Sequence, residues 1–338
     1  NFQESSDAII PNVVAGSSFT VFLDGAGAVW AWGHNNYGQL GQGTRAAANV
    51  AGSIGYVGST TSNVYGSNST PNPQRVLDAN GDYLGTVRDT DGAINTTEQI
   101  RFKAVAAGTD HAVALSLDGD VYAWGRNDSG QLGVGDRTNK TYAVHVLAGT
   151  QETYICDRCG THYRTGEVGK TCEKVTANTM CTGKLQRYQY LTNIVAIAAG
   201  ASHTLALADD GTVWAWGSNY NGQLGTAISD AHWTNVEKKN ANLYLHTTPE
   251  QVKGELGQGY LSGALLIAAG GNVSAVVLGN SDLWVFGSNT EGQLGQNSRK
   301  DAPLPVTVMR GASYNADGGS NLNLITNVAV GVDHMVAI

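Results

Sequence analysis

Charged residues are scarce in this chain, because Asp, Glu, Lys and Arg together make up 14% of its 338 residues, against about a quarter in an average soluble protein. The formal net charge is −8, and the sequence contains no run of Lys or Arg. Binding to nucleic acid through its phosphates needs a basic patch. The composition therefore excludes a nucleic-acid-binding function of that kind.

Long apolar runs and prolines are also scarce. The longest apolar stretches, such as residues 265–269, are far shorter than the roughly 20 residues that a membrane-spanning helix needs. No segment shows convincing helical periodicity. The chain starts at Asn1 without an initiator Met or a signal peptide, so we expect either a processed mature chain or part of a longer one.

Glycine, in contrast, is abundant, with 44 residues in the chain, about twice its usual frequency. Many glycines and asparagines combined with only six prolines favour numerous tight turns between strands. A chain of this length buries enough surface to fold without disulfide support.

An internal repeat organises the sequence. The segment Ala107–His111 recurs at residues 199–203, and weaker copies begin at residues 15, 269 and 330. Seventeen residues after the glycine of each of the first four copies lies a second glycine, preceded by an aromatic residue, and Gly-Gln-Leu-Gly follows five residues later. These four copies align without a gap, although the connecting segments differ in length, as surface loops do.

Within each unit the pattern is that of β structure. Residues 111–117 alternate toward an Asp118-Gly119 turn, and a second strand starts at Val121, which is a strong hairpin signal. Further strands are predicted after Gly-Gln-Leu-Gly and before the next Ala-Gly. Four short strands per repeat is the number in a propeller blade, so the sequence predicts an all-β fold, a β-propeller.

The motif itself is similar to that of a known family. Trp-Gly-x-Asn-x-x-Gly-Gln-Leu-Gly, after Ala-Ala-Gly-x-x-His-x-x-Ala-Leu and Asp-Gly, resembles the regulator of chromosome condensation repeat, and residues 124–133 match at every motif position. The resemblance implies a β-propeller over residues 1–338, usually of seven blades. This sequence carries four full repeats plus a half repeat.

The repeat count leaves three arrangements open. The chain is a fragment of a longer protein, which we favour, or it closes as a smaller ring. Alternatively, its spare strands pair with another copy, because an unpaired β edge invites strand addition.

Three insertions interrupt the repeats, at residues 44–72, 151–188 and 227–248. Propellers bind partners through loops on one face. We expect the three insertions to leave equivalent rims of the blades and to form one composite surface.

The four cysteines of the chain all lie in the second insertion. The opening Cys-x-x-Cys-Gly resembles a rubredoxin or zinc-ribbon knuckle, although the second pair is more widely spaced. Four thiolates would bind zinc in a closed, structural site, and two disulfides are the alternative. We predict structural zinc, with the ligands Cys156, Cys159, Cys172 and Cys181.

A second, weaker metal candidate precedes the second repeat. Asp78, Asn80, Asp82 and Asp89 have the spacing of a calcium loop, but Tyr83 stands where that loop needs glycine. The dipeptide at residues 80–81 also fits a plain hairpin turn.

Two repeated positions could suggest chemistry, but we interpret both as structural. His111, His203 and His334 share a position that Phe19 and Val273 also occupy, so a metal site is not expected there. We assign the repeated aromatic position to packing between blades, with the members Trp32, Trp124, Trp216 and Phe286.

The sequence contains no catalytic constellation, so we predict that the chain is not an enzyme. We expect a binding or structural scaffold module of a secreted or cell-surface protein, of bacterial type, that contacts a protein partner through propeller-face loops. A self-assembling extracellular filament or surface-layer subunit is the alternative. Guanine-nucleotide exchange, the activity of the family's namesake, comes third, because no residue here carries it.

Overall fold

Strands account for nearly all the regular structure of the protein. The computed structural model describes residues 9–44, 69–88, 92–148, 190–227, 244–309, 321–322 and 324–338, together with the backbone of five short strands between residues 153 and 188. A single turn of 3-10 helix spans Glu255–Gly257. The strands, in chain order, are β1 (Asn12–Ala15), β2 (Phe19–Leu23), β3 (Val29–His34), β4 (Ser69–Arg75), β5 (Thr86–Arg88), β6 (Ile94–Gln99), β7 (Phe102–Ala107), β8 (His111–Ser116), β9 (Val121–Gly125), β10 (Lys140–His145), β11 (Thr153–Cys156), β12 (His162–Tyr163), β13 (Val175–Thr176), β14 (Thr179–Met180), β15 (Leu185–Tyr188), β16 (Ile194–Ala199), β17 (His203–Ala208), β18 (Val213–Ser218), β19 (Leu245–Gln251), β20 (Ala264–Gly270), β21 (Val273–Leu278), β22 (Leu283–Gly287), β23 (Ala302–Thr307), β24 (Val328–Val330) and β25 (Met335–Ala337).

Four sheets have the same antiparallel four-stranded meander. They consist of β1–β4, β7–β10, β16–β19 and β20–β23, and a fifth unit contributes the hairpin β24–β25. We call these units the first to the fifth sheet. Four full sheets and one hairpin correspond to the four full repeats and the half repeat of the sequence.

The second and third strands of each full sheet pair in the same register. His111 faces Gly125, and the equivalent residues of the other sheets pair in the same way. Gly125 has a φ of 99°, and a β-carbon there would lie 3.0 Å from the Cα of His111. Only glycine fits such a position without strain, which explains the glycine of every Trp-Gly pair.

Successive sheets pack through their first strands. β7 contacts β1 and β16, β20 contacts β16, and β24 contacts β20. Backbone hydrogen bonds also join the turns after these strands, from Ser17 N to Thr109 O at 3.0 Å, from Thr109 N to Ala201 O at 3.2 Å and from Ala201 N to Gly271 O at 2.8 Å. This arrangement confirms the predicted all-β, propeller-type fold.

The apolar core is divided among the boundaries between sheets. Four clusters of buried side chains each combine residues of two consecutive sheets. Trp124, Trp216 and Phe286 are fully buried in them, and burial of such side chains stabilises by about 1.5–3 kcal/mol each. Stability therefore comes largely from contacts between neighbouring units, as in other repeat proteins.

Two predicted insertion boundaries were wrong. Residues 69–72, assigned to the loop at 44–72, belong to β4, where Thr70 pairs with Gly33. Residues 245–248, assigned to the loop at 227–248, belong to β19, where His246 pairs with Gly217. Both strands contain polar residues and proline, which a fourth strand tolerates because it lies at the edge of its sheet.

Candidate protein-interaction faces

The meander assigns every connection to one of two faces. In each full sheet, the turn between the first two strands and the loop between the last two strands leave the same end of the sheet. The Gly-Gln-Leu-Gly motif opens the second of these connections, so we call this end the GQLG face. The turns between the second and third strands, and the links from one sheet to the next, lie on the opposite face.

The expectation of one composite surface was wrong for the cysteine insertion. The segments at 44–72 and 227–248 connect the third and fourth strands of their sheets and so attach to the GQLG face. The segment at 151–188 lies between β10 and β16, the link from one sheet to the next, and attaches to the opposite face. The number of strands that precede each insertion decides its face.

Side chains of the motif itself hold the GQLG loops in place. In the second sheet, Leu132 N donates to Asn127 Oδ1 at 3.0 Å, Asn127 Nδ2 donates to Asp136 O at 2.9 Å, and Ser129 N donates to Gln131 Oε1 at 2.8 Å. Leu132 is fully buried beneath the loop. Two of these bonds recur in the other three full sheets: the leucine N–H donates to the asparagine Oδ1, and a loop N–H donates to the glutamine Oε1. The acceptors are Asn35 and Gln39, Asn219 and Gln223, and Asn289 and Gln293.

Charged and aromatic side chains meet at the tips of the first two loops. The guanidinium of Arg126 lies 4.7 Å from the ring centre of Tyr37, and it forms ion pairs with Asp128 at 2.7 Å and Asp110 at 3.4 Å. Gln39 Nε2 also donates to Asp110 Oδ1 at 3.3 Å. The boundary between the first two sheets therefore presents a preformed polar and aromatic patch.

A second aromatic feature lies at the third loop. The rings of Tyr220 and Tyr244 stack with centres 5.2 Å apart and an interplanar angle of 17°. Tyr220 is 50% exposed. Tyr244 directly follows residues 228–243, which lie outside the described residues. The pair therefore lies where the third insertion leaves the GQLG face.

Below these loops, the repeated histidines link neighbouring sheets. His111 Nε2 lies 3.0 Å from Thr204 Oγ1, and His203 Nε2 lies 2.9 Å from Ser274 Oγ. Burial lowers the pKa of His111 to about 4. Burial, reinforced by His111, lowers the pKa of His203 to about 3. The structural interpretation is confirmed for these two residues.

The repeated tryptophans also join sheets. Trp124 Nε1 donates to Gln39 O at 3.0 Å, and Trp216 Nε1 donates to Gln131 O at 2.9 Å. Each indole thus donates to the Gly-Gln-Leu-Gly loop of the preceding sheet. This confirms that the aromatic position serves packing between sheets at these residues.

The histidine position is matched by the neighbouring sheet at every boundary. The matching position in the next unit is the residue that directly follows that unit's own histidine position. Where the first member is histidine, the second carries a hydroxyl; where the first is apolar, so is the second. The pairs are Phe19 with Ala112, His111 with Thr204, His203 with Ser274, and Val273 with Met335. The sequence contained this signal, but only the packing of sheets shows which positions to compare.

On the opposite face, a stack of rings was missed by the sequence analysis. The ring centres of Tyr122 and His145 are 4.0 Å apart, and those of His145 and Tyr190 are 4.6 Å apart. In the first sheet, Arg75 lies between Trp30 and Tyr83 in the same way. A Tyr-Leu dipeptide at residues 83–84, 190–191 and 260–261 was the available signal.

A buried carboxyl group lies near this stack. Burial, together with the charge of Asp118, raises the pKa of Asp120 to about 7. Burial, followed by the nearby carboxylates of Asp120 and Asp118, also raises the pKa of Tyr122. Both groups are therefore kept neutral to a higher pH than free side chains.

The geometry at the candidate calcium loop favours the hairpin turn. Asp78 Oδ1 accepts hydrogen bonds from Asn80 N at 2.8 Å and Asp82 N at 3.0 Å. Arg88 forms an ion pair with Asp82 at 2.6 Å, and Leu77 bridges to Tyr83. Asp89 lies outside the described residues, so calcium stays a prediction.

The cysteine cluster lies mostly outside the described residues. Cys156 ends β11, which pairs with β12 and β15, whereas Cys159, Cys172 and Cys181 are not described. Zinc therefore stays a prediction. Elsewhere, the described part of the chain contains no group of three His, Cys, Asp or Glu side chains that could hold a metal ion.

Among the residues that the structure describes, no helix has the length and apolar character that crossing a membrane requires.

Known proteins match the chain in both sequence and fold. It is 26% identical over 328 residues to the ultraviolet-B receptor UVR8 of Arabidopsis thaliana, covering 93% of this chain and 60% of the relative. It is 28% identical over 234 residues to the probable E3 ubiquitin-protein ligase HERC6 of Homo sapiens, covering 64% of this chain and 21% of the relative. The chain thus spans less than two thirds of these relatives.

Among solved structures, human WBSCR16 superposes with a TM-score of 0.58 at 18% identity, covering 96% of this chain and 58% of that one. This likeness supports the fold. Models of the regulator of chromosome condensation (RCC1) repeat match residues 26–82, 118–146, 210–277 and 280–338, and in a second form residues 12–39, 102–131 and 194–223. The chain therefore belongs to the RCC1 repeat family.

Proposed function

We propose that this chain is a non-enzymatic protein-interaction module that binds its partner through the GQLG face. The observation that carries the proposal is the way the motif fixes its own loops. Side-chain amides of Asn127 and Gln131 satisfy the loop backbone, so the tip is preorganised and loses little conformational entropy on binding.

The tips carry the side chains that protein interfaces favour. Tyrosine and arginine are enriched among residues that dominate binding energy, and this face presents Tyr37, Arg126 and Tyr220. Two long insertions also attach here, next to these tips. A relative such as HERC6 is named as a ligase but shares only 21% of its length with this chain, which favours binding as the role of the shared part.

The setting of the module also remains a proposal. Low charge and variable insertions favour a secreted or cell-surface scaffold. Guanine-nucleotide exchange is the competing activity, and acceleration of nucleotide release from a small GTPase by the purified chain would favour it instead.

The interaction proposal is tested by comparing variants of the two faces. The double variant Arg126→Ala/Tyr220→Ala alters the GQLG face, and Tyr260→Ala, an exposed tyrosine after β19, is the control on the opposite face. We expect that a protein from the native source binds to the wild type and to the control variant. The same protein should not bind to the double variant. Equal binding to all three proteins would contradict the proposal.

A further inference from the structure

The chain contains two Asn-Gly dipeptides, at residues 80–81 and 221–222. Asparagine is a chemically labile residue, and it deamidates most readily before glycine, which has no β-carbon to hinder attack by its backbone nitrogen. The φ angles of Gly81 and Gly222 are 80° and 81°, and each glycine N–H donates to the carbonyl three residues earlier at 3.1 Å. Since the two sites are alike in these respects, their surroundings decide which of them reacts.

The first dipeptide lies in the open, in the turn after β4 on the opposite face. Asn80 and Gly81 are both exposed, and a β-carbon at Gly81 would meet no atom within 4 Å. Asn80 N donates to Asp78 Oδ1 at 2.8 Å, but the side-chain amide of Asn80 forms no hydrogen bond with any residue that the structure describes. This amide is therefore free to turn toward the nitrogen of Gly81.

The second dipeptide is enclosed in the third GQLG loop. Asn221 Nδ2 donates to Asp301 Oδ2 at 2.8 Å, and Asn221 N donates to Gln223 Oε1 at 2.9 Å. Gly222 is buried, and a β-carbon there would collide with the Cα of Pro303 in β23. A carboxylate of the fourth sheet thus holds the amide of Asn221 away from Gly222, and the packing keeps water from the glycine nitrogen.

We propose that Asn80 is a site of spontaneous deamidation in the folded protein and that the fold protects Asn221. The nitrogen of Gly81 attacks Cγ of Asn80, and the new N–Cγ bond closes a succinimide ring. The side-chain nitrogen leaves as ammonia and takes the proton of the Gly81 N–H. Water then opens the ring at one of its two carbonyls and yields aspartate or isoaspartate, so water is the only other reactant.

The modification changes the turn in two ways. It places a new carboxylate near Asp78 and Asp82, where Arg88 is already paired with Asp82 at 2.6 Å. Isoaspartate also lengthens the main chain by one carbon, which disturbs the hydrogen bond from Asp82 N to Asp78 Oδ1 at 3.0 Å. The turn lies on the opposite face, so this proposal and that of binding through the GQLG face can fail separately.

The experiment is to incubate the purified chain in warm, mildly alkaline buffer and to follow both dipeptides by peptide mass spectrometry, with isoaspartate detected by enzymatic methylation. We expect Asn80 to convert at least about tenfold faster than Asn221, because reaction at Asn221 first needs local opening of the loop. Asn80→Gln should abolish the conversion at this position, because glutamine would have to form a larger ring, and should leave the rate at Asn221 unchanged.

Incubation in concentrated urea is the matched control, because it removes the folded surroundings and keeps both dipeptides. In urea, the two sites should convert at similar rates. Equal rates in the folded protein would overturn the proposal, and so would an Asn80 that keeps its amide in the folded protein but loses it in urea. A difference that persists unchanged in urea would overturn it too, since the cause would then be the local sequence and not the fold.

Discussion

The imidazole Nε2 of His111 lies 3.0 Å from the hydroxyl of Thr204, across the boundary between the second and third sheets. The same hydroxyl donates its proton to Gln131 O at 3.0 Å, so it accepts from the imidazole. His111 therefore carries its proton on Nε2, and Nδ1, which is buried without a hydrogen-bond partner, is unprotonated. A second proton on this ring would be placed where nothing accepts it.

The first prediction concerns the energetic coupling of this pair. Thr204→Ala removes the acceptor and leaves the His111 N–H buried without a partner, which costs about 1–3 kcal/mol. His111→Phe places an apolar ring against the hydroxyl and also destabilises. The double variant copies the Phe19 and Ala112 pair, so its free energy of unfolding should lie within about 1 kcal/mol of the wild type.

Urea unfolding of the four proteins gives the coupling free energy directly. The comparison is well matched because Gln131 O keeps its hydrogen bond from Trp216, just as Gln39 O is bonded by Trp124 beside the natural apolar pair. Additive effects of the two single substitutions would show that the pair is not a unit.

The second prediction is a pH dependence that follows from the same histidine. The folded-state pKa of His111 is about 4, below its unfolded value of about 6.5. Between these values the unfolded chain binds the extra proton, so stability falls as the pH is lowered. Replacing the pair by Phe and Ala should reduce this loss by about 1.4 kcal/mol per pH unit below pH 6.5, as measured by urea unfolding from pH 7 to pH 5.

Asp120 acts in the opposite direction and provides a check. Its folded pKa of about 7 lies above the unfolded value of about 4, so the folded protein takes up a proton as the pH falls and gains stability. Asp120→Asn should therefore make the acid loss of the wild type steeper. An unchanged slope would show that Asp120 stays ionised in the folded protein over this whole pH range.

Local patterns in the sequence were sufficient for the fold. The alternation before Asp118-Gly119 and the fixed distance from Gly108 to Gly125 predicted the strands, because hairpin register depends on residues close in the chain. The fourth strands were harder to bound, because segments such as 69–72 pair with β3 only after an insertion and resemble a loop.

Relations between repeats could not be found in this way. Phe19 and Ala112 lie far apart in the chain and share no local motif, so their match is visible only when sheets are packed. The face on which the cysteine insertion emerges also depends on strand parity and not on the motif before it. The candidate face was therefore only partly predictable.

The third prediction concerns a turn in the first sheet. Asp24 Oδ1 accepts hydrogen bonds from Ala26 N and Ala28 N, both at 2.9 Å, and Oδ2 accepts from Trp30 Nε1 at 2.8 Å. Asp24→Ala removes all three, and we expect a loss of about 1–3 kcal/mol in the free energy of unfolding. Asn280→Ala, at the turn of the fourth sheet, is the exposed control and should cost less. Equal effects would assign the loss to the turn alone and not to the indole bond.

The last prediction concerns the cysteine insertion. If Cys156, Cys159, Cys172 and Cys181 hold zinc, the purified protein contains about one zinc per chain, and thiol titration after denaturation and chelation detects all four cysteines. Cys159→Ser should abolish the metal. Backbone bonds close the base of the insertion, from Leu191 N to Val146 O at 2.9 Å, so the main unfolding transition should change by less than about 1 kcal/mol. Absence of metal together with absence of free thiols would establish two disulfides in its place.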